Sequence, residues 1–79
     1  PNPFEALTYI GFYTKEADFG DFTVYNLQGK TISTNTWGKN EKEYNTIKWN
    51  GSEFPSGIYF YKIKSDGGLE INGEMMLNK

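Results

Sequence analysis

Cysteine, histidine and arginine are all absent from this chain of 79 residues. Without cysteine the chain cannot form a disulfide or a thiolate metal site. Without histidine it lacks the usual general base at neutral pH and the commonest protein ligand of transition metals. Its eight basic residues are all lysines and ten residues are acidic, so the formal net charge is −2. Because nucleic-acid binding depends on clustered positive charge, this composition argues against a nucleic-acid partner.

Long hydrophobic runs are also missing, so the sequence predicts no membrane-spanning segment. The length corresponds to a single domain, residues 1–79. The chain opens with Pro1 rather than methionine, and no charged and apolar leader segment follows. We therefore expect a mature or excised fragment of a larger secreted precursor.

Aromatic residues are abundant, with two tryptophans, six tyrosines and six phenylalanines. A chain this short buries only about 60% of the surface that its unfolded form exposes, so large rings help it to reach a stable core. Apolar residues do not recur at helical spacing, and glycine recurs along the chain, which disfavours helices. Alternating residues instead predict strands over residues 7–13, 22–25, 30–34, 44–49, 58–64 and 69–77.

Turn signals separate these strands at residues 26–29, 50–51 and 66–68. The predicted fold is therefore all-β, a small antiparallel immunoglobulin-like β-sandwich of six to seven strands. Over residues 58–64, Tyr59, Tyr61 and Ile63 share one face. The other face carries Ile58 and Phe60 and is more apolar than a solvated face needs, so it either covers a loop or docks a partner.

Six short segments follow one another in a characteristic order along the whole chain. They are Pro1-Asn2-Pro3-Phe4, the strand with Ile10 and Phe12, residues 24–30, Trp49-Asn50-Gly51, residues 55–61, and Met75-Met76-Leu77-Asn78-Lys79. This order resembles the type A C-terminal sorting domain of the bacterial type IX secretion system. The chain is more distantly similar to the immunoglobulin-like domain of the flagellar hook-capping protein.

The resemblance implies a domain that follows a secreted cargo in one precursor. In that family the outer-membrane secretion translocon reads the domain once the precursor is in the periplasm, and a surface sortase-like protease typically removes it. The cargo is then secreted or held at the cell surface. The resemblance thus implies a secretion and sorting signal without a cofactor, whose signature residues are Pro1, Asn2, Pro3, Gly57, Tyr59 and Lys79.

Some of these residues have a second interpretation that the sequence leaves open. Gly57 and Tyr59 either belong to a surface that the translocon recognises, or are a bend glycine followed by a core tyrosine. Lys79 and residues 75–77 either engage the translocon, for example by strand pairing, or form the last strand with a frayed end.

The alternative function is a structural or adhesive immunoglobulin-like module, with carbohydrate binding as a special case. Trp37 and Trp49 suggest glycan stacking, but Trp49 alternates with Ile47 and is predicted to lie in the core. Glycan binding would require Trp37, Tyr44 and a third ring on one exposed face.

Metal binding and catalysis have little support in the sequence. Carboxylates that could bind calcium do not have the spacing of a calcium-binding loop, and no nucleophile and base occur in a recognisable motif. The chain is therefore predicted to hold no metal and not to be an enzyme. The acidic residues considered as calcium ligands are Glu16, Asp18, Asp21, Asp66 and Glu70.

Overall fold

The computed structural model describes residues 6–14, 19–38 and 44–78. Within those ranges it contains strands and no helix, and hence no helix that is long and apolar enough to cross a membrane. The strands are β1 (Leu7–Tyr13), β2 (Phe19–Tyr25), β3 (Thr31–Gly38), β4 (Tyr44–Asn50), β5 (Gly57–Ser65) and β6 (Glu70–Leu77).

The strands form two antiparallel sheets that pack face to face. β1 pairs with β4, and the other four strands pair in the order β3-β2-β5-β6. Rings from the two sheets meet between them: the ring centroids of Phe12 on β1 and Trp37 on β3 are 4.9 Å apart. Those of Trp49 on β4 and Tyr59 on β5 are 5.9 Å apart. The predicted all-β antiparallel sandwich is confirmed, with six strands in the described ranges.

The core follows from the period-two alternation of the strands. In β1, exposed and buried residues alternate from end to end, and Thr8, Ile10 and Phe12 point inward. Leu7 is 45% exposed, so Ile10 and not Leu7 provides the first apolar core contact of this strand. The other strands complete the core with Phe22, Val24, Ile47, Trp49, Tyr59, Ile63, Met75 and Leu77.

Two hairpins are closed by side chains that replace backbone partners. Between β2 and β3, the Asn26 side-chain oxygen accepts hydrogen bonds from the backbone N–H groups of Gln28 and Lys30, each at 3.0 Å. Gly29 adopts φ 85°, which glycine reaches without steric cost. Between β5 and β6, the Ser65 hydroxyl accepts from the Leu69 N–H at 3.0 Å. The turns predicted at residues 26–29 and 66–68 are therefore present.

The strand boundaries differ from the predicted ones at β2 and β3. β2 begins at Phe19 rather than residue 22, because Gly20 continues the ladder where β5 approaches very closely. A methyl group at Gly20 would overlap the backbone carbonyl of Lys64. β3 extends to Gly38, well past residue 34, because its polar residues still pair regularly with β2.

Candidate functional site

The end of the sandwich where the last strand finishes contains Gly57 and Tyr59, two of the predicted signature residues. We call the side chains packed there the terminal cluster, which consists of Trp49, Phe54, Tyr59 and Leu77 together with Gly51. Gly57 pairs with Leu77 and Tyr59 pairs with Met75, so both predicted residues lie beside the last strand.

Gly57 starts β5 in a backbone conformation that favours glycine. Its φ is 152°, and a side chain added there would have open space around it. The glycine is therefore required by the backbone bend and not by close packing. This placement agrees with the bend interpretation, while Gly57 itself remains exposed at the surface.

Tyr59 is a core tyrosine with a specific polar contact. Only 5% of the residue is exposed, and its hydroxyl donates a hydrogen bond of 2.5 Å to the backbone carbonyl of Pro55. The ring contacts both Trp49 and Phe54, with centroid separations of 5.9 and 6.4 Å. Tyr59 thus fastens the turn before β5 to the core, and it presents little surface to a partner.

Phe54 completes the terminal cluster and was not singled out by the sequence. Its ring stacks on Trp49 with a centroid separation of 5.6 Å and an interplanar angle of 12°. The backbone N–H of Phe54 donates to the Gly51 carbonyl at 3.0 Å. This hydrogen bond closes the turn that places Phe54 on the Trp49 ring. In the sequence, this contact is signalled only by the spacing of Gly51 and Phe54 after Trp49. Such a short spacing does not predict that two rings stack.

The last strand is held by the same cluster. Leu77 is 1% exposed and Met75 is 3% exposed, so their side chains belong to the core. At Gly51 a methyl group would come within 2.8 Å of the Trp49 ring and 3.2 Å of a Leu77 methyl carbon. Only glycine leaves room for Trp49 and Leu77 to come this close to residue 51. Residues 49–51 and the end of β6 are therefore packed together.

The opposite face of the same strands carries an apolar patch. Ile58, Phe60 and Met76 are 39%, 37% and 45% exposed and form what we call the outer patch. Ile58 and Met76 are direct cross-strand partners, and Phe60 lies between Tyr25 and Glu74. The predicted apolar outer face of residues 58–64 is therefore present, and it includes Met76 from the last strand.

The two tryptophans are both used in packing between the sheets. Trp49 is 2% exposed, so its predicted core position is confirmed. Trp37 contacts Phe12 edge-on, and its indole N–H donates to the Asp21 carbonyl at 3.3 Å. Tyr44 instead lies on the far side of the β1–β4 sheet, where its ring packs against Tyr13 with centroids 4.9 Å apart. Trp37 and Tyr44 therefore do not share the exposed face that glycan stacking would require.

Carboxylates occur at the end of the sandwich away from the terminal cluster. Asp21, Asp66 and Glu70 line a groove of about 810 Å³ there, together with Phe19 and Trp37. Across residues 6–14, 19–38 and 44–78, no three acidic side chains are grouped so that they could hold a metal ion. Glu16 and Asp18, the other acidic residues considered for calcium, lie outside the described residues, as do the signature residues Pro1, Asn2, Pro3 and Lys79.

The chain matches a known protein family along nearly its whole length. The model of a family described as the secretion system C-terminal sorting domain matches residues 1–77 of this chain. A search of curated proteins finds no significant match. The matched region includes every described strand, from β1 through β6.

Proposed function

Since this chain belongs to the secretion system C-terminal sorting domain family, we propose that its folded sandwich is the form in which the type IX translocon recognises it. The family acts as a C-terminal sorting signal for type IX secretion, so the chain directs export to the cell surface or the medium. Family membership also favours this function over an adhesive or glycan-binding module. A cargo carried in the same precursor is the passenger that this signal serves.

The observation that carries the proposal is the burial of the last strand. Met75 and Leu77 are core residues, and β6 pairs with β5 along its whole length from Glu70 to Leu77. A receptor that contacts β6 therefore meets an ordered strand of a sandwich. We further propose that residues 1–79 form one sorting domain, that its precursor passes through the periplasm, and that a surface protease removes it after export.

The signature residues divide into two roles under this proposal. Gly57 and Tyr59 act indirectly, since the glycine permits the bend and the tyrosine hydroxyl holds the Pro55 carbonyl. Pro1, Asn2, Pro3 and Lys79 are the residues that would be contacted directly.

A fusion experiment tests the function. Residues 1–79 are placed after a passive reporter in a bacterium that has a type IX system, and the reporter is measured on the surface, in the medium and in the periplasm. We expect export with the full domain and periplasmic retention in a strain without the translocon. Equal retention in both strains would contradict the proposed function.

Two truncations of the same fusion separate the last strand from the tail. Removing residues 70–79 deletes β6 and exposes the core, so we expect both unfolding and loss of export. Removing Asn78 and Lys79 leaves every β5–β6 pair in place, so the domain should stay folded. Loss of export with a folded domain would then assign direct recognition to the tail, whereas normal export would remove Lys79 from the recognition residues.

A further inference from the structure

The outer edge of β3 has the properties of a strand that accepts another strand. β3 lies at the edge of the four-stranded sheet and, among the described residues, pairs only with β2. Its eight residues include no charge and no proline. Natural proteins usually block an exposed edge with charges, prolines or bulges. β3 has one bulge near its start, after which six consecutive pairs with β2 are regular, from Val24↔Ser33 to Phe19↔Gly38.

The backbone hydrogen bonds show which residues of β3 face this edge. The Asn26 N–H donates to the Lys30 carbonyl at 2.9 Å, so Asn26 points its backbone towards β3. Backbone direction alternates along a strand, so Phe22 also points towards β3 and its partner Asn35 points back. Thr34 and Thr36, on either side of Asn35, therefore direct their N–H and C=O groups away from the sheet. Both threonines are exposed.

Within the described part of the chain three other strands have an unshared edge, and they are less suited to strand addition. β4 carries Lys48, and β6 carries Glu70 and Glu74, which are charges of the kind that discourage edge pairing. β1 is uncharged but has Gly11 in its interior, and glycine weakens a strand there. β3 combines a regular ladder, β-branched residues and neutral side chains.

We propose that an extended segment of the outer-membrane secretion machinery pairs with β3 as an additional strand of the four-stranded sheet. This inference rests on the proposed function. Strand addition draws its affinity from main-chain hydrogen bonds, which do not depend on side-chain identity and so suit a receptor that reads a family of domains. The segment should be neutral, because β3 is uncharged and the exposed Asp21 opposite Thr36 has the exposed Lys64 as its cross-strand partner on β5.

A second copy of this chain fits the edge less well than an extended segment. Stable interfaces between two folded copies typically bury roughly 1,200–2,000 Å², which requires contacts well beyond one strand edge. Ser33 and Asn35 lie on either side of Thr34, and their side chains are polar. They would add little apolar burial to a contact between two copies. An extended segment needs only the edge itself.

Proline substitutions test the main-chain contact directly. Thr34→Pro and Thr36→Pro each remove an outward N–H without removing a bond to β2. Thr46→Pro is the matched control. The Gly51 N–H donates to the Ala6 carbonyl at 2.6 Å, so by the same alternation Thr46 points away from β1 on the other sheet. In the reporter fusion, we expect export to fall about tenfold for each β3 proline, the factor that corresponds to one lost hydrogen bond, and to stay normal for Thr46→Pro.

Stability and side-chain controls keep the result interpretable. The three proline variants should have the same melting temperature. If a β3 proline variant does not fold, Thr34→Lys is used in its place, because a charge also discourages strand pairing at an edge. Thr34→Val keeps the N–H and should export normally. The inference is overturned if the β3 variants export like Thr46→Pro, if Thr34→Val fails equally, or if sedimentation shows a wild-type dimer that Thr34→Pro dissociates. Failure of the wild-type fusion itself would instead contradict the proposed function.

Discussion

Shortening Leu77 to alanine should strongly destabilise the domain, whereas the same change at the neighbouring Met76 should not. Leu77 is 1% exposed and packs beside Trp49 and Gly51, while Met76 is 45% exposed on the outer patch. A buried Leu→Ala change costs about 2–5 kcal/mol, and an exposed one stays within about 0.5 kcal/mol. For a domain of this size each kcal/mol lowers the melting temperature by about 4–8 °C, so Leu77→Ala should lower it by roughly 8–40 °C.

The assay is thermal unfolding followed by near-ultraviolet circular dichroism, which reports on the packed tryptophan. Export of the reporter fusion is measured in parallel. If the sorting signal is the folded shape, Leu77→Ala should lose export along with stability. A melting temperature for Leu77→Ala within a few degrees of the wild type would refute the terminal cluster as the element that holds β6. Export by an unfolded Leu77→Ala domain would refute recognition of the folded form.

Three further substitutions test single contacts, each by its effect on the melting temperature. Gly57→Ala should cost about 1 kcal/mol or more, because alanine is strained at the observed φ of 152°; unchanged stability with lost export would show that Gly57 is read directly. Tyr59→Phe removes the hydroxyl that donates to the Pro55 carbonyl and should cost about 0.5–1.5 kcal/mol of stability. An unchanged melting temperature would contradict a stabilising role for this hydrogen bond. Gly20→Ala forces a methyl group onto the Lys64 carbonyl and should destabilise far more than Gly38→Ala, which meets open space; equal effects would contradict the close approach of β2 and β5.

Much of the fold was predictable because one face of most strands is buried. The alternation of Tyr59, Tyr61 and Ile63 appears in the sequence since β5 is an interior strand with a core on one side only. The boundaries of β2 and β3 were not predictable in the same way. Gly20 interrupts the apolar pattern of β2 although it pairs normally with both neighbouring strands. In β3, residues 33–36 are all polar because this edge strand contributes little to the core there, so no hydrophobic alternation marks it as a strand.

The candidate site was predictable only in part, for reasons of tertiary packing. Gly57 and Tyr59 could be placed at a bend and a strand from their neighbours in the sequence. The stacking of Phe54 on Trp49 depends on how a turn folds back over another strand, which local pattern does not encode. Among the described residues, five aromatic side chains are exposed rather than buried in the core: Tyr9, Tyr13, Phe19, Tyr44 and Phe60.

The pairing of distant segments has a consequence for when this domain can exist. Leu7 pairs with Asn50, and Leu77 packs beside Gly51 and Trp49 in the core. Contacts between segments so far apart form late and slowly, so a nascent or prematurely terminated polypeptide cannot assemble the sandwich. The native fold therefore forms only after synthesis has passed β6. A receptor that binds only the native fold would reject incomplete products, whatever their cargo is.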